Sequence, residues 1–475
     1  MWYCFDESKS LDAFIKGDTV AVMKTNTNNM TEGNLRKQIL EFAFPLFIGY
    51  LFQQLYSTVD SLIVGNLLGA DALASVTSTG SVTYLLVGFF TGFSSGSSIV
   101  IARAIGGGNR KDTSDAVHTA VATGLICSVA ATIAGVAGTP YLLKMMGTPD
   151  NVIGNSVLYL RIIFAGVSAT ILYNTFTGIL QAGGDSKDPL HYLMISSCIN
   201  VVLDLTLIGV FHMGVDGAAY ATIFSQFVSM LLALHKLVTI NDSIRLTLTK
   251  ISVHRRHLTQ IIRYGLPTAM QACVTDIANI MIQSYVNSFG SAAMAGIGAY
   301  SRIEGFGFLP ITAFSLSMST FISQNMGAKN YDRVKEGIRF GLTIGLICAE
   351  CIGLCFFIFA PQLISMFVRD ADVIAYGVSK ARISGFFYFL LAFSHLVSAV
   401  MRGLGKPMAP MVVMLVCWCA VRVVIFSTVG RIFHYIQLTY WVYPFTWFLS
   451  STAFILYAFH IYRNGIFNPE RKENA

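Results

Sequence analysis

The sequence predicts an all-α membrane protein: twelve transmembrane helices in two six-helix lobes related by a pseudo-two-fold axis along the membrane normal. Three observations predict it. Of 475 residues, 54% are hydrophobic and only 12% charged, with a mean hydropathy of +0.62, too little charge to cover a soluble surface. The apolar residues fall in unbroken blocks such as Thr119–Leu143 and Leu342–Leu363, long enough to cross a hydrocarbon core of about 30 Å. The two halves of the chain also repeat one another.

Breaks at Gly, Pro, Asn and charge clusters divide the chain into segments near 38–66, 71–103, 113–144, 151–183, 187–212, 214–240, 258–289, 292–325, 332–367, 371–404, 407–431 and 436–463. Many exceed the roughly 20 residues a span needs, which implies tilt or helix beyond the lipid. Arg36, Lys37, Arg110, Lys111, Lys187, the run Arg245 to Arg256, Lys329, Arg333, Lys335, Lys406, Arg463, Arg471 and Lys472 all fall on one side. The other side holds little beyond Lys144, Arg369 and Arg431. The positive-inside rule therefore places both termini and the 241–257 linker in the cytoplasm, with the N-lobe at 35–240, the C-lobe at 258–463 and a tail at 464–475. The net charge of +7 is thus a topology signal, and no nucleic-acid partner is expected. The first 34 residues are polar and lack a signal-peptide core. They read as an unstructured cytoplasmic extension, or, over 1–29, as a stretch upstream of a true start at Met30.

A shift of 221 residues (Gly69 to Gly290) superimposes the halves without a gap over most of their length. Ala72 then meets Ala293, Phe93–Ser94 meets Phe314–Ser315, Gly106 meets Gly327, Asn109 meets Asn330, and Pro140 meets Pro361. Each repeat has an even number of spans, so both enter the membrane in the same sense and leave a cavity between them. Two lobes in one chain predict a transporter that functions as a monomer in lipid.

Function should lodge where the repeats differ. Asp60 pairs with Met281, Asn174 with His395, Asn200 with Val421 and Asp204 with Ile425. The first lobe therefore holds two intramembrane acids that its twin lacks, each costing about 2.5–3.5 kcal/mol to insert. Asn200 and Asp204 share a helix face, as do Gln53, Ser57 and Asp60, and a further pair is Thr222 and Gln226. Such oxygen ligands suit a hard cation such as Na⁺, with Asp60, Asp204, Asn174 and Asn200 as its holders. They suit equally an acid that keeps its proton because it is buried beside a second acid. An unpaired buried acid needs one or the other.

At these residues the chain resembles the multidrug and toxic compound extrusion (MATE) family, within the superfamily that includes lipid-linked oligosaccharide flippases. The resemblance covers about residues 31–463 and rests on PLFIGYLFQQLYSTVDSLIVGNLLGADALASV, YNTFTGILQAGGDSKDPL, INVVLDLTLIGVFHMGVDGAAYAT and ISQNMGAKNYDRVKEG. It looks like a Firmicutes-type bacterial member whose N-lobe acids place it nearest the DNA-damage-inducible and archaeal-type branch. The resemblance implies that Asp60, Asp204, Asn174, Asn200 and Thr222 form the cation-coupling site and that Pro45 kinks the first helix. It implies efflux of hydrophobic or cationic organic compounds from the cell membrane in exchange for H⁺ or Na⁺, without another cofactor. A lipid or glycolipid flippase is the alternative. NorM-type members place acids in the seventh and tenth spans. Here Asp276 lies one residue from the first position and the tenth span has His395 instead.

Gln53, Tyr56, Asp276, Gln283, Arg302, Glu304, His395 and Arg422 remain as candidates for lining a substrate cavity. Arg302, Glu304 and Arg422 read as an ion-pair network between helices, and Arg422 with His395 as a pair able to shift charge with pH. Eighteen Met and 35 Phe suit an adaptable apolar cavity and lipid-facing surface alike. Nine cysteines lie mostly in apolar blocks as packing residues. No HExxH, GxSxG or paired Cys/His pattern points to an enzyme.

Overall fold

The computed structural model describes residues 29–146, 148 and 150–467. Twelve helical spans form two lobes of six. The first lobe comprises α1 (Leu35–Leu68), α2 (Ala70–Gly106), α3 (Arg110–Met145), α4 (Asp150–Ala165 and Val167–Ala182), α5 (Lys187–Asp204 with a π turn, Leu205–Val210) and α6 (Val215–Thr239). The second comprises α7 (Arg255–Asn287), α8 (Ser291–Gly327), α9 (Tyr331–Ser365), α10 (Ala371–Phe386 and Tyr388–Gly403), α11 (Met408–Met414, a π turn Leu415–Ala420, and Val421–Ile432) and α12 (Gln437–Arg463). All but α7 are long and apolar enough to cross a membrane, counting α4 and α10 as single bent spans. α7 has the length, but Arg255, Arg256, His257 and Arg263 crowd its first turns.

The sequence repeat is a structural repeat. Helices α2, α3, both parts of α4 and the start of α5 recur 221 residues later as α8, α9, both parts of α10 and the start of α11. Bends of 45° in α4 and 55° in α10 fall at Gly166 and its counterpart Phe387. The joints repeat too: Gly69 (φ 86°, ψ −176°) separates α1 from α2 and Gly290 (φ 90°, ψ 178°) separates α7 from α8. That region is open essentially only to glycine, so the helix must stop there. Three helix starts are capped by side chains, those of Asn34, Asn109 and Asp370. Asn34 accepts from the Arg36 and Lys37 amides at the start of α1, and Asn109 from Lys111 and Asp112 at the start of α3.

The pseudo-two-fold axis passes between the last turns of α2 and α8, where Met30 lies. A side chain at Gly106 would overlap the Gln324 carbonyl, and one at Gly327 would overlap the Arg103 carbonyl. Arg103 and Gln324 are themselves counterparts. Arg103 Nη2 donates to the Gly403 carbonyl at 2.8 Å, and Gln324 Nε2 donates to the Ala182 carbonyl at 2.7 Å. Four positions related by one offset thus form two mirrored bonds across the lobe boundary. Alongside, α2 lies against α7 with Gly96 facing Gly265, and Ser317 of α8 donates to the Ile39 carbonyl of α1 at 2.8 Å.

The unstructured extension expected over residues 1–34 requires correction at its end. Residues 1–28 lie outside the described residues, but 29–34 form an ordered strap over the opposite lobe. Met30 is 1% exposed. Its N–H donates to Gln324 Oε1 at 2.9 Å, and its carbonyl accepts from Asn325 Nδ2 at 3.1 Å. Arg333 donates to the carbonyls of Met30, Glu32 and Gly33 at 3.2, 3.1 and 2.8 Å. Backbone groups without side-chain hydrophobicity gave no signal for this, because their partners lie some 300 residues away.

Candidate functional site

Asp60 sits two turns before the end of α1, and Asp204 is the last residue of α5 before its π turn. A π turn interrupts the regular ladder and is a frequent mark of functional positions. α1 packs along α5, and the carboxyl groups of Asp60 and Asp204 come within hydrogen-bonding reach of each other. Asp204 is fully buried, Asn200 one turn earlier is 1% exposed, and Asp60 is partly exposed.

No ion pair among the described residues involves either acid. Asp60 Oδ1, both oxygens of Asp204 and both polar atoms of Asn200 are buried without a hydrogen-bond partner. Four oxygens therefore converge with nothing to neutralise them, and burial of an unpaired carboxylate is strongly unfavourable. The group is chemically complete only with a shared proton or a bound hard cation.

The other expected ligands point elsewhere. Asn174 Nδ2 donates to the Thr170 carbonyl of its own helix at 2.8 Å, and its Oδ1 accepts from Thr91 Oγ1 of α2 at 3.5 Å. Thr222 Oγ1 donates to the Ala218 carbonyl at 2.9 Å. Pro45 lies buried inside an uninterrupted α1. Its missing N–H leaves the carbonyl of Glu41 without a helical partner, the local weakness at which a helix bends.

Gln53 is exposed and Tyr56 partly so. Tyr56 lies near a group that sequence reasoning missed, with Tyr50, Tyr173 and Tyr192 in the same part of the first lobe. Tyr173 donates to the Pro189 carbonyl at 3.4 Å. Tyrosines scattered over α1, α4 and α5 give no periodic signal, so only the fold collects them.

In the second lobe the expected network of Arg302, Glu304 and Arg422 does not form. Two positions apart on a helix, Arg302 and Glu304 point in different directions: Arg302 is exposed, whereas Glu304 turns inward toward Lys380 and Arg422. Arg422, 2% exposed, donates from Nε and Nη2 to Thr446 Oγ1 at 3.1 and 3.0 Å. Lys380 was missed because one lysine near a span's end reads as a side chain snorkelling to water. His395 is not in contact with Arg422; its ring meets Phe308 at 4.7 Å and Trp418 at 5.4 Å, and Trp418 in turn lies under Arg422. Gln283 donates to Asn287 Oδ1 at 2.9 Å on an exposed face of α7. The Asp276 side chain lies outside the described residues.

With this geometry in hand, comparison with known proteins is informative. A family profile described as MatE matches residues 45–206 and 267–427, one segment in each lobe. The chain is 28% identical over 394 residues to the probable multidrug resistance protein YoeA of Bacillus subtilis, covering 82% of this chain and 85% of that one. It is 29% identical over 400 residues to the probable multidrug resistance protein YpnP of the same organism, covering 83% and 88%. A solved structure described as the outward-facing conformation of a multidrug resistance MATE family transporter superimposes with a TM-score of 0.81 at 25% identity, covering 91% and 96%.

Proposed function

The chain belongs to the MatE family of multidrug efflux transporters, and from that premise we propose that it is an antiporter that exports hydrophobic or cationic organic compounds in exchange for H⁺ or Na⁺. The reading rests on one observation: the buried carboxyl of Asp204 and the partly exposed one of Asp60 lie within reach of each other, without an ion pair among the described residues, at positions whose counterparts in the other lobe are apolar. The lobes are clamped at the end bearing the strap and the Arg103 and Gln324 bonds. With that end cytoplasmic, as the Lys and Arg distribution predicts, the cleft opens outward across the plasma membrane. An ion entering from outside reaches Asp60 and Asp204 and removes their charge. α1, weakened at Pro45, then shifts, and the organic compound leaves. Coupling follows because ion and substrate favour different arrangements of the same helix.

The test is dye efflux from proteoliposomes under separately imposed proton and sodium gradients, comparing wild type with Asp60→Asn. The expected result is efflux under one gradient for wild type and none for the variant, with both proteins folded. Full gradient-driven efflux by Asp60→Asn would overturn the proposal.

A further inference from the structure

The second lobe holds ionisable groups that antiport at Asp60 and Asp204 does not use. Lys380 of α10 and Arg422 of α11 are 3% and 2% exposed, and cations so placed in membrane-spanning helices are rare and face a partner or a cavity. Both lie against one ring. Lys380 Nζ is 4.4 Å from the centre of the Tyr443 ring and Arg422 Cζ 4.6 Å from it. Lys380 also lies 5.8 Å from the Tyr300 ring. Among the described residues neither cation makes an ion pair, and the acid that faces them is Glu304.

Two cations and one carboxylate leave an excess positive charge in a place where it is poorly solvated. Around it, the Tyr300 hydroxyl lies within hydrogen-bonding reach of Glu304 and Ser384, and the Tyr388 hydroxyl is buried with no hydrogen-bond partner. Tyr300 and Tyr388 both adjoin Glu304, and Ser384 adjoins Tyr300. The cluster is short of one negative charge, and its hydroxyls are neutral donors beside the two cations. It is not sealed: Glu304 and Tyr443 are partly exposed, and open space lies beside Gly305. Its place in the lobe matches that of the acid pair, for Tyr443 is the counterpart of Thr222 and Arg422 follows the counterpart of Asn200.

We propose that Lys380 and Arg422, with the hydroxyls of Tyr300, Ser384 and Tyr388, form a substrate subsite that takes a carboxylate carried by the exported compound. A guanidinium, an ammonium and neutral donors converging on one point are the set that recognises such a group. The transported class then includes organic zwitterions, whose cationic end faces the acidic lobe and whose carboxylate enters the basic one. The proposal rests on the chain exporting organic compounds through the interlobe cleft, and its test needs no gradient.

The probes are a rhodamine free acid and its ethyl ester, which differ in the carboxylate alone. Their binding to the purified full chain in detergent is read by fluorescence anisotropy. Wild type is expected to bind the free acid more tightly than the ester. Lys380→Gln should weaken the free acid about tenfold and leave the ester unchanged, and Lys380→Arg should restore it. Tyr300→Phe, which alters no charge and is expected to fold, should weaken the free acid about threefold. Equal affinity of wild type for the two dyes, equal weakening of both in Lys380→Gln, or no change in Tyr300→Phe would each overturn the proposal. So would displacement of the free acid by phosphatidylglycerol, which would assign the subsite to lipid phosphate. Failure of pumping in proteoliposomes, with this binding pattern intact, would count against antiport and leave the subsite standing.

Discussion

The two lobes share a backbone and exchange the sign of their buried charge. In the first, Asp60 and Asp204 face each other with no cation of the protein nearby. In the second, their counterparts are Met281 and Ile425, and the interior holds Lys380 and Arg422 beside a single acid. The charge of the first lobe can change whenever an ion or proton arrives or departs. That of the second lobe is dominated by the side chains of Lys380 and Arg422. Under the proposed antiport, the first lobe is the one that responds to a gradient.

The sharpest way to break this comparison is Asp204→Asn. Transport should be lost entirely, while the melting temperature in the absence of sodium rises, because a buried charge that costs several kcal/mol unpaired has been removed. An unchanged melting temperature with intact pumping would show that Asp204 is already neutralised within the protein. Glu304→Gln should act in the reverse sense. It removes the acid that faces two buried cations and should lower the melting temperature.

Smaller effects test the shared scaffold. Arg103→Ala removes charge-assisted bonds to the Gly403 carbonyl and the Tyr264 hydroxyl, and Gln324→Ala removes neutral ones with the Ala182 carbonyl and the Met30 N–H. Losses of about 1.5–3 kcal/mol per charge-assisted bond and about 1 kcal/mol per neutral one are expected, seen as faster cysteine labelling of residues at that end. Least of all, Asn109→Ala should cost about 1 kcal/mol through a lost helix cap. Its counterpart Asn330 makes no such cap and reaches instead to the Thr31 carbonyl at 3.4 Å, so Asn330→Ala should cost less in a thermal melt.

Much of the fold was legible because lipid admits few solutions. Apolar length locates spans, and loop glycines such as Gly69 and Gly290 preserve the register between halves. The acids of the site were legible because an unpaired carboxylate in an apolar block has no cheap structural explanation. What stayed hidden depends on side-chain direction. Spacing put Asn174 and Thr222 near the acids, yet each satisfies itself on its own helix. Arg302 and Glu304 read as partners and point apart. The strap at Met30 is held by backbone groups, which every residue possesses and no pattern distinguishes.

The abutment of Gly106 and Gly327 on opposing carbonyls has a consequence for how such a carrier can be jammed. At that spot main chain rests on main chain, so the closed end has no side chain whose rearrangement could absorb an intrusion. A single methyl group at either glycine would act as a doorstop, holding the two helix ends apart without touching Asp60 or Asp204. Loss of turnover from such a change would arise from geometry rather than chemistry.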